Sequence, residues 1–136
     1  MDELRIKRYR DKINFIVNYI KDLPFDPKSE LEKRGIFYSL QTSIESTMDL
    51  IAMLIKDLGL QVKDDSTNIS EIVKLRKLNP ELGDKLKKAN GLRNIIVHRY
   101  NEIDENIILK SVKEVKDLLF HWIDILEEIL SELNRT

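Results

Sequence analysis

Apolar residues recur every three or four positions along most of this chain, which is the spacing of amphipathic helices. The first such segment runs from about Asp2 to Leu23 and stops before a proline. The second begins near Ser29, where Glu32 completes a capping-box spacing, and ends at Gly59. The two apolar seams consist of Ile6, Tyr9, Ile13, Ile16, Ile20 and Leu23, and of Phe37, Leu40, Ile44, Thr47, Ile51, Leu54 and Leu58.

Three further helices are predicted downstream. The polar stretch 61–68 indicates a loop, and a short helix is expected over 70–78. A fourth helix begins near Pro80, because proline suits a first helical turn. Asp104 is the expected N-cap of a last helix that reaches about Leu133 with heptad-like apolar spacing. No strand pattern competes, so residues 1–136 are predicted to form one all-α domain, an up-and-down bundle of four to five helices.

The amino-acid composition limits the kinds of chemistry that this chain can perform. The 136 residues include no cysteine and two histidines, so we expect no disulfide, metal site or redox cofactor. No apolar run is long enough for a membrane span and no secretory signal precedes the first helix, so the expected location is the cytoplasm. The net charge of -1 gives no long-range attraction for nucleic acid. Positive charge is instead local, without interleaved aromatic residues, at Lys85, Lys87, Lys88, Arg93 and Arg99.

The fourth helix carries an arginine where an apolar residue is expected. On a helical wheel, Arg93 and Tyr100 fall within the apolar stripe of that helix. The other members of the stripe are Leu82, Leu86, Ala89, Ile96 and Val97. A guanidinium facing the core needs an anion or several hydrogen-bond acceptors. The partner is either a ligand or a carboxylate of the second helix, such as Glu45 or Asp49.

A second, polar face of the same helix carries His98. Asn94 lies four residues before His98 and shares its face, together with Gly91 and Lys87. Gly91 in a helix suggests close approach of a backbone, a partner chain or a phosphate, although a kink or a spacer glycine explains it equally well.

Histidine transfers protons near neutral pH, and arginine presents a fork of donors suited to phosphate. Arg93 and His98 therefore suggest phosphoryl chemistry such as metal-free RNA cleavage, in which a 2′-hydroxyl attacks the adjacent phosphorus. Residues five apart diverge by about 140° on an ideal helix. A long arginine stem, a distorted helix end or a second chain must therefore bring the two together, and we favour a homodimer.

The pattern Arg-x-x-x-x-His-x-Tyr at Arg93, His98 and Tyr100, on the penultimate helix of a small bundle, resembles the HEPN ribonucleases of the HepT type. The resemblance also includes Asn94 and the turn at 101–104, and it covers most of the chain. It implies a HEPN-like homodimer with facing motifs that cleaves RNA without metal, as the toxin of a toxin–antitoxin pair.

The same resemblance assigns roles to single residues. Arg93 and His98 are implied to be catalytic, and Asn94 is implied to orient them. The implied partner is a minimal nucleotidyltransferase that attaches AMP to Tyr100 and so silences the enzyme. Added charge and bulk beside a phosphate-binding cleft exclude RNA.

Two other functional readings remain. The bundle is alternatively a non-catalytic module that binds a nucleotidyltransferase partner or a nucleotide, or a purely structural dimer. His121, beside Trp122, is expected to be a boundary packing residue rather than a second catalytic histidine. Glu45 and Asp49 more often form a solvated face or a counter-ion for Arg93 than a metal site. The basic run of Arg5, Lys7, Arg8 and Arg10 is expected to be a solvated helix surface.

Overall fold

The computed structural model describes residues 1–98 and 101–135, and these ranges contain five α-helices and no strand. The helices are α1 (Glu3–Ile20), α2 (Glu30–Asp57), α3 (Asp65–Leu75), α4 (Pro80–Val97) and α5 (Glu102–Arg135). The predicted all-α bundle is confirmed. None of these helices is both long enough and apolar enough to cross a membrane.

The long helix α2 begins and ends where its sequence predicts. The Ser29 side chain accepts a hydrogen bond from the backbone N–H of Glu32, which satisfies one of the unpaired donors of the first turn. At the other end Gly59 adopts a φ of +82°, a left-handed conformation that glycine takes without strain. Local capping chemistry therefore fixes both ends of α2.

The predicted start of α3 was wrong. The helix begins at Asp65 rather than Ser70, because the Asp64 side chain caps it by accepting from the backbone N–H of Thr67. It also ends earlier, at Leu75, since Lys77 takes a left-handed φ of +52°. The first turn, residues 65–68, is polar throughout although Asn68 is buried, so it looks like a loop in the sequence.

The start of α5 also differs from the prediction. The helix begins at Glu102, and Asn101 rather than Asp104 provides the capping oxygen. The Asn101 side chain accepts from the Asp104 backbone N–H at 3.1 Å. Asparagine and aspartate cap helices about equally well, so sequence alone does not separate these two positions.

One apolar core joins the helices, and α2 contacts all four others. Most positions of the predicted seams are buried, including Ile16 of α1, Leu40 of α2 and Trp122 of α5. Trp122 also donates its indole N–H to the Leu82 carbonyl oxygen at 3.3 Å, which ties α5 to α4. Helix α4 packs against α2, α3 and α5, so its C-terminal end can present side chains to more than one neighbour.

Candidate active site

Helix α4 directs Arg93 toward α2. Arg93 lies on the core-facing line of α4, and its side chain is 30% exposed. Its Nη1 is 3.4 Å from Oε1 of Glu45 on α2. Glu45 is one of the two carboxylates that the sequence indicated as a counter-ion. The other, Asp49, lies 3.4 Å from Nζ of Lys12 on α1 instead.

The hydrogen-bond donors of Arg93 are incompletely satisfied. Its Nε is buried and has no hydrogen-bond partner in the described part of the chain. Its Nη2 donates to Oδ1 of Asn94 at 3.3 Å. Charge-assisted N–H···O bonds are usually about 2.7–2.9 Å long, so both contacts of the guanidinium are long. The Oε1 atom of Glu45 is also shared, because Nε2 of Gln41 donates to it at 3.3 Å.

His98 lies just past the end of α4. The helix ends at Val97, and His98 is its C-cap, with φ −111° and ψ 24°. The His98 side chain is exposed. The backbone of His98 leaves the helical conformation, although its N–H still donates to the Asn94 carbonyl oxygen as in an α-helix. Whether the long arginine stem, the helix end or a second chain brings Arg93 and His98 together stays a prediction. Val97, predicted in the core stripe, is 49% exposed, so that prediction was wrong.

Asn94 contacts both candidate catalytic residues. Its side chain accepts from Arg93, and its backbone carbonyl accepts the His98 backbone N–H at 3.0 Å. Asn94 is itself exposed. The structure thus brings Arg93, Asn94 and His98 to one end of α4, while the orienting role of Asn94 stays a prediction.

The other two residues of the predicted polar face, Lys87 and Gly91, have different surroundings in the structure. Lys87 is half-buried and donates to the Ser70 hydroxyl of α3 at 2.7 Å. Gly91 is exposed, and a Cβ added there would meet nothing within 4 Å. No part of the described chain approaches Gly91 closely. It lines an open groove of about 520 Å³ between α4 and α5, together with Ile95 and Lys88.

The described lysines of the predicted basic patch divide between two surfaces. Lys85 and Lys88 both line the α4–α5 groove, and Nζ of Lys85 also lies 3.5 Å from Oε1 of Glu81. Lys87 turns toward α3 instead. Arg99 and Tyr100 lie outside the described residues, and with them the predicted modification site. The sequence places these cations close together, but an α-helix distributes them around its circumference.

The second histidine is remote from this site in sequence and setting. His121 is exposed on α5, so its predicted role in boundary packing was wrong, while its neighbour Trp122 is fully buried. Within residues 1–98 and 101–135, no group of three histidine and carboxylate side chains is close enough to hold a metal ion.

One feature near the site was not predicted. The rings of Phe15 and Tyr19 on α1 lie 4.6 Å apart, and Tyr19 lies 6.0 Å from Tyr38 on α2. We call these three residues the aromatic row. The spacing of four between Phe15 and Tyr19 was visible in the sequence, but the position of Tyr38 beside them depends on how α1 packs on α2.

Comparison with known proteins assigns the family. Residues 6–133 match the family model described as ribonuclease HepT-like. A protein of Archaeoglobus fulgidus with the provisional name RNase is 46% identical over 130 residues, which cover 96% of this chain and 98% of that protein. The mRNA nuclease HepT of Shewanella oneidensis is 27% identical over 94 residues, which cover 68% of this chain and 71% of that protein.

Solved structures share the fold. A mutant form of the toxin–antitoxin complex MntA–HpeT contains a chain that matches with a TM-score of 0.75 at 21% identity, over 88% of this chain and 98% of that one. The tri-AMPylated HEPN toxin of Shewanella oneidensis in complex with MNT antitoxin matches with a TM-score of 0.69 at 21% identity. The match covers 94% of this chain and 99% of that one. The fold is thus that of HEPN toxins, and the chain belongs to the family of HepT-like ribonucleases.

Proposed function

We propose that this chain is a metal-independent endoribonuclease that acts as the toxin of a toxin–antitoxin pair in the cytoplasm. Arg93 binds the scissile phosphate and His98 transfers protons. The observation that carries this proposal is the unsatisfied guanidinium of Arg93. Its Nε is buried without a hydrogen-bond partner among the described residues, and its contact with Glu45 is long. A buried donor without a partner is costly, so this conformation of the guanidinium is weakly held, and its terminal nitrogens can turn to a phosphate.

The proposed reaction needs only groups that the RNA and this site supply. The 2′-oxygen forms a bond to the adjacent phosphorus, and the bond from phosphorus to the 5′-oxygen breaks. The products are a 2′,3′-cyclic phosphate and a 5′-hydroxyl end. One imidazole accepts the proton of the 2′-hydroxyl, and the leaving 5′-oxygen receives a proton from the protonated form of a histidine. Arg93 stabilises the additional negative charge on the phosphorane.

The chain provides a matched control for testing His98. Purified wild type, His98→Ala and His121→Ala are incubated with unstructured RNA in the presence of a chelator. We expect the wild type and His121→Ala to cut equally and His98→Ala to be inactive, because both histidines are exposed but only His98 adjoins Arg93 through Asn94. The products should carry 5′-hydroxyl ends. The proposal fails if wild type cuts no better than His98→Ala.

Adding Arg93→Ala to this experiment, together with a binding measurement, separates the alternative function. A non-catalytic module predicts that Arg93→Ala abolishes binding of a nucleotide or of a nucleotidyltransferase partner while no RNA product ever appears. RNA cleavage that depends on both Arg93 and His98 excludes that reading.

A homodimer is part of the proposal, and the surface supports it. Exposed apolar side chains flank the junction between α4 and α5 on both sides. Ile95 and Val97 end α4 at 36% and 49% exposure, and Ile103 and Ile107 begin α5 at 70% and 44%. Apolar residues at this density around one junction are typical of an interface. A second copy docked there brings its own junction, and hence its own His98, close to the first.

Sedimentation of paired variants tests this dimer. Ile103→Asp and Ile107→Asp are expected to shift the protein from dimer to monomer, because a charge in the interface lacks a partner. Leu4→Asp is the matched control, since Leu4 is 76% exposed but lies beside Arg5 near the opposite end of α5. A dimer that survives both isoleucine substitutions contradicts this placement.

The proposed antitoxin is a minimal nucleotidyltransferase that attaches AMP to Tyr100. The tri-AMPylated toxin in complex with MNT antitoxin, which shares this fold, supports the proposal. Intact mass spectrometry of the chain co-expressed with a cognate nucleotidyltransferase should show added AMP on wild type and none on Tyr100→Phe. An inhibited complex with unmodified Tyr100 would contradict this mechanism.

A further inference from the structure

The aromatic row is exposed on the surface of the bundle. Phe15 is 39% exposed and Tyr38 is 58% exposed, while Tyr19 lies half-buried between them. Their ring planes are inclined by 53° and 60°, so the rings meet tilted and edge to face. Parts of the Phe15 and Tyr38 rings therefore remain open to solvent.

A ridge of α2 connects the aromatic row to Arg93. Tyr38, Thr42, Glu45 and Asp49 follow one another at intervals of three or four residues, and all four are exposed or half-buried. We call them the α2 ridge. Tyr38 and Glu45 are two turns apart, or about 10 Å along the helix axis. Arg93 reaches the ridge from α4 at Glu45, and Tyr19 reaches it from α1 at Tyr38.

The end of α2 that carries Tyr38 also lies near the His98 end of α4. Nζ of Lys33, one turn before Phe37, is 3.6 Å from Oε1 of Glu105 in the first turn of α5. That turn follows His98 by only a few residues of chain. The aromatic row and His98 therefore lie toward the same end of the bundle, and Arg93 contacts α2 nearer its middle, at Glu45.

Cations accompany the aromatic row. Arg34, one turn before Tyr38, and Arg8, two turns before Phe15, are both exposed, and neither forms an ion pair within the described residues. Arg8, Lys12 and Phe15 line a groove of about 360 Å³ that extends to Ser46, next to Glu45. Asp11 also lines this groove but is paired with Lys7 at 2.8 Å.

From this arrangement we propose that the aromatic row is a binding surface for unpaired RNA, on which bases stack while the backbone passes Thr42 of the α2 ridge and reaches Arg93, which then leaves Glu45 for the phosphate. The assignment of the scissile phosphate to Arg93 rests on the proposed function, whereas base stacking does not. The ring faces fit bases of any sequence, because every base has a π-face. A distance of about 10 Å corresponds to about three stacked nucleotides at 3.4 Å each. Bases within a duplex have both faces covered, so the surface selects single strands.

Binding is measured with a probe that the enzyme cannot cut. A fluorescent 2′-O-methyl pyrimidine oligonucleotide of about 12 nucleotides is titrated with the protein at low ionic strength. This probe lacks the attacking 2′-hydroxyl, so the enzyme cannot cut it. We expect Tyr38→Ala and Phe15→Ala each to weaken binding on the order of tenfold. Tyr38→Phe keeps the ring and should bind within about twofold of wild type. A duplex of the same sequence should compete poorly.

Phe25→Ala is the matched control. Phe25 is 50% exposed but lies under Nζ of Lys116 of α5, outside the aromatic row. Its removal should leave binding unchanged. Equal binding by wild type and Tyr38→Ala overturns the inference. The oligomeric state of Tyr38→Ala is measured as well, because the variant could bind the probe normally and yet have lost its dimer. In that case the surface belongs to a second copy of the chain.

Cleavage of the unmodified RNA separates this inference from the proposed function. Tyr38→Ala is expected to raise KM by about the same factor as it weakens binding, with kcat little changed. If wild type cuts no RNA but probe binding still depends on Tyr38, the proposed function fails and the stacking surface stands. If cleavage depends on His98 but Tyr38→Ala alters neither binding nor KM, the stacking surface fails alone.

Discussion

Two arginines of this chain meet a carboxylate on α2, and their geometries differ. Nε and Nη2 of Arg5 donate to the two oxygens of Asp57 at 2.8 and 3.2 Å, and the Tyr9 hydroxyl donates to Oδ2 of Asp57 at 2.5 Å. Arg93 has one contact of 3.4 Å to Glu45 and a buried Nε without a partner among the described residues. The two side chains are similarly exposed, at 22% and 30%. The carboxylates differ more, since Asp57 is 20% and Glu45 41% exposed. The clearest difference is that the hydrogen-bond donors of Arg5 have close partners and those of Arg93 do not.

The pKa shifts of Asp57 and Tyr9 agree with a structural role for the Arg5 cluster. Burial acts to raise the pKa of Asp57, but the hydrogen bonds from Arg5 and Tyr9 outweigh it and hold that pKa below its ordinary value. Burial, and next the bond to Asp57, raise the pKa of the Tyr9 hydroxyl well above its ordinary value. Each group is thereby held in the charge state that the cluster requires. We infer that Arg5 stabilises the fold, whereas Arg93 is available for a ligand.

Removing Arg93 should reduce RNA cleavage far more than it reduces stability. Arg93→Ala is expected to lower kcat/KM for RNA cleavage by on the order of 100-fold or more, as for loss of one donor that stabilises a transition-state anion. The free energy of unfolding should change by less than about 1 kcal/mol, because the contact with Glu45 is long and partly exposed. Single-turnover cleavage and urea unfolding measure the two quantities. Undiminished cleavage would show that Arg93 is only a second structural arginine.

Removing Arg5 should produce the opposite result. Arg5→Ala is expected to lower the free energy of unfolding by about 2 kcal/mol, because it leaves Asp57 without its bidentate partner. The pair is about one-fifth exposed, so the loss is smaller than for a fully buried pair. Lys7→Ala is the control, since Lys7 pairs with Asp11 on the exposed face of the same helix and should cost no more than about 0.5 kcal/mol. Cleavage per folded molecule should be unchanged, and a large loss of cleavage would end the distinction.

The pH dependence of stability tests the structural role of Asp57 and Tyr9 in the Arg5 cluster. Because folding lowers the pKa of Asp57, its contribution is present above the ordinary carboxyl range and is lost as pH falls below about 4. Because folding raises the pKa of Tyr9, its contribution is present below about pH 10 and is lost as pH rises further. Above pH 10 wild type should lose up to about 1.4 kcal/mol per pH unit more than Tyr9→Phe. Parallel alkaline unfolding curves for the two proteins would contradict this.

The two arginine sites differ in how much of them the sequence predicts. The core-facing position of Arg93 was predictable, because it follows from helical periodicity. The sequence offered Glu45 and Asp49 as possible carboxylates, and the packing of α4 on α2 selects Glu45. The partnership of Arg5 with Asp57 was not, since these residues are 52 positions apart and meet only when α1 packs against α2. The grouping of Phe15, Tyr19 and Tyr38 depends on the same packing. The start of α3 was missed because its cap, Asp64, lies in a stretch that is polar throughout.

The smallest predicted effect tests whether Glu45 merely occupies Arg93 until RNA arrives. Glu45→Gln removes a negative charge 3.4 Å from the guanidinium but keeps an oxygen that can accept from it. Affinity for the 2′-O-methyl probe should rise by about two- to fivefold, because the phosphate no longer competes with a carboxylate. Asp49→Asn, on the same ridge but paired with Lys12, is the control and should alter affinity less. Weaker binding by Glu45→Gln would mean that the carboxylate positions Arg93, and the two arginine sites would then differ in degree rather than in kind.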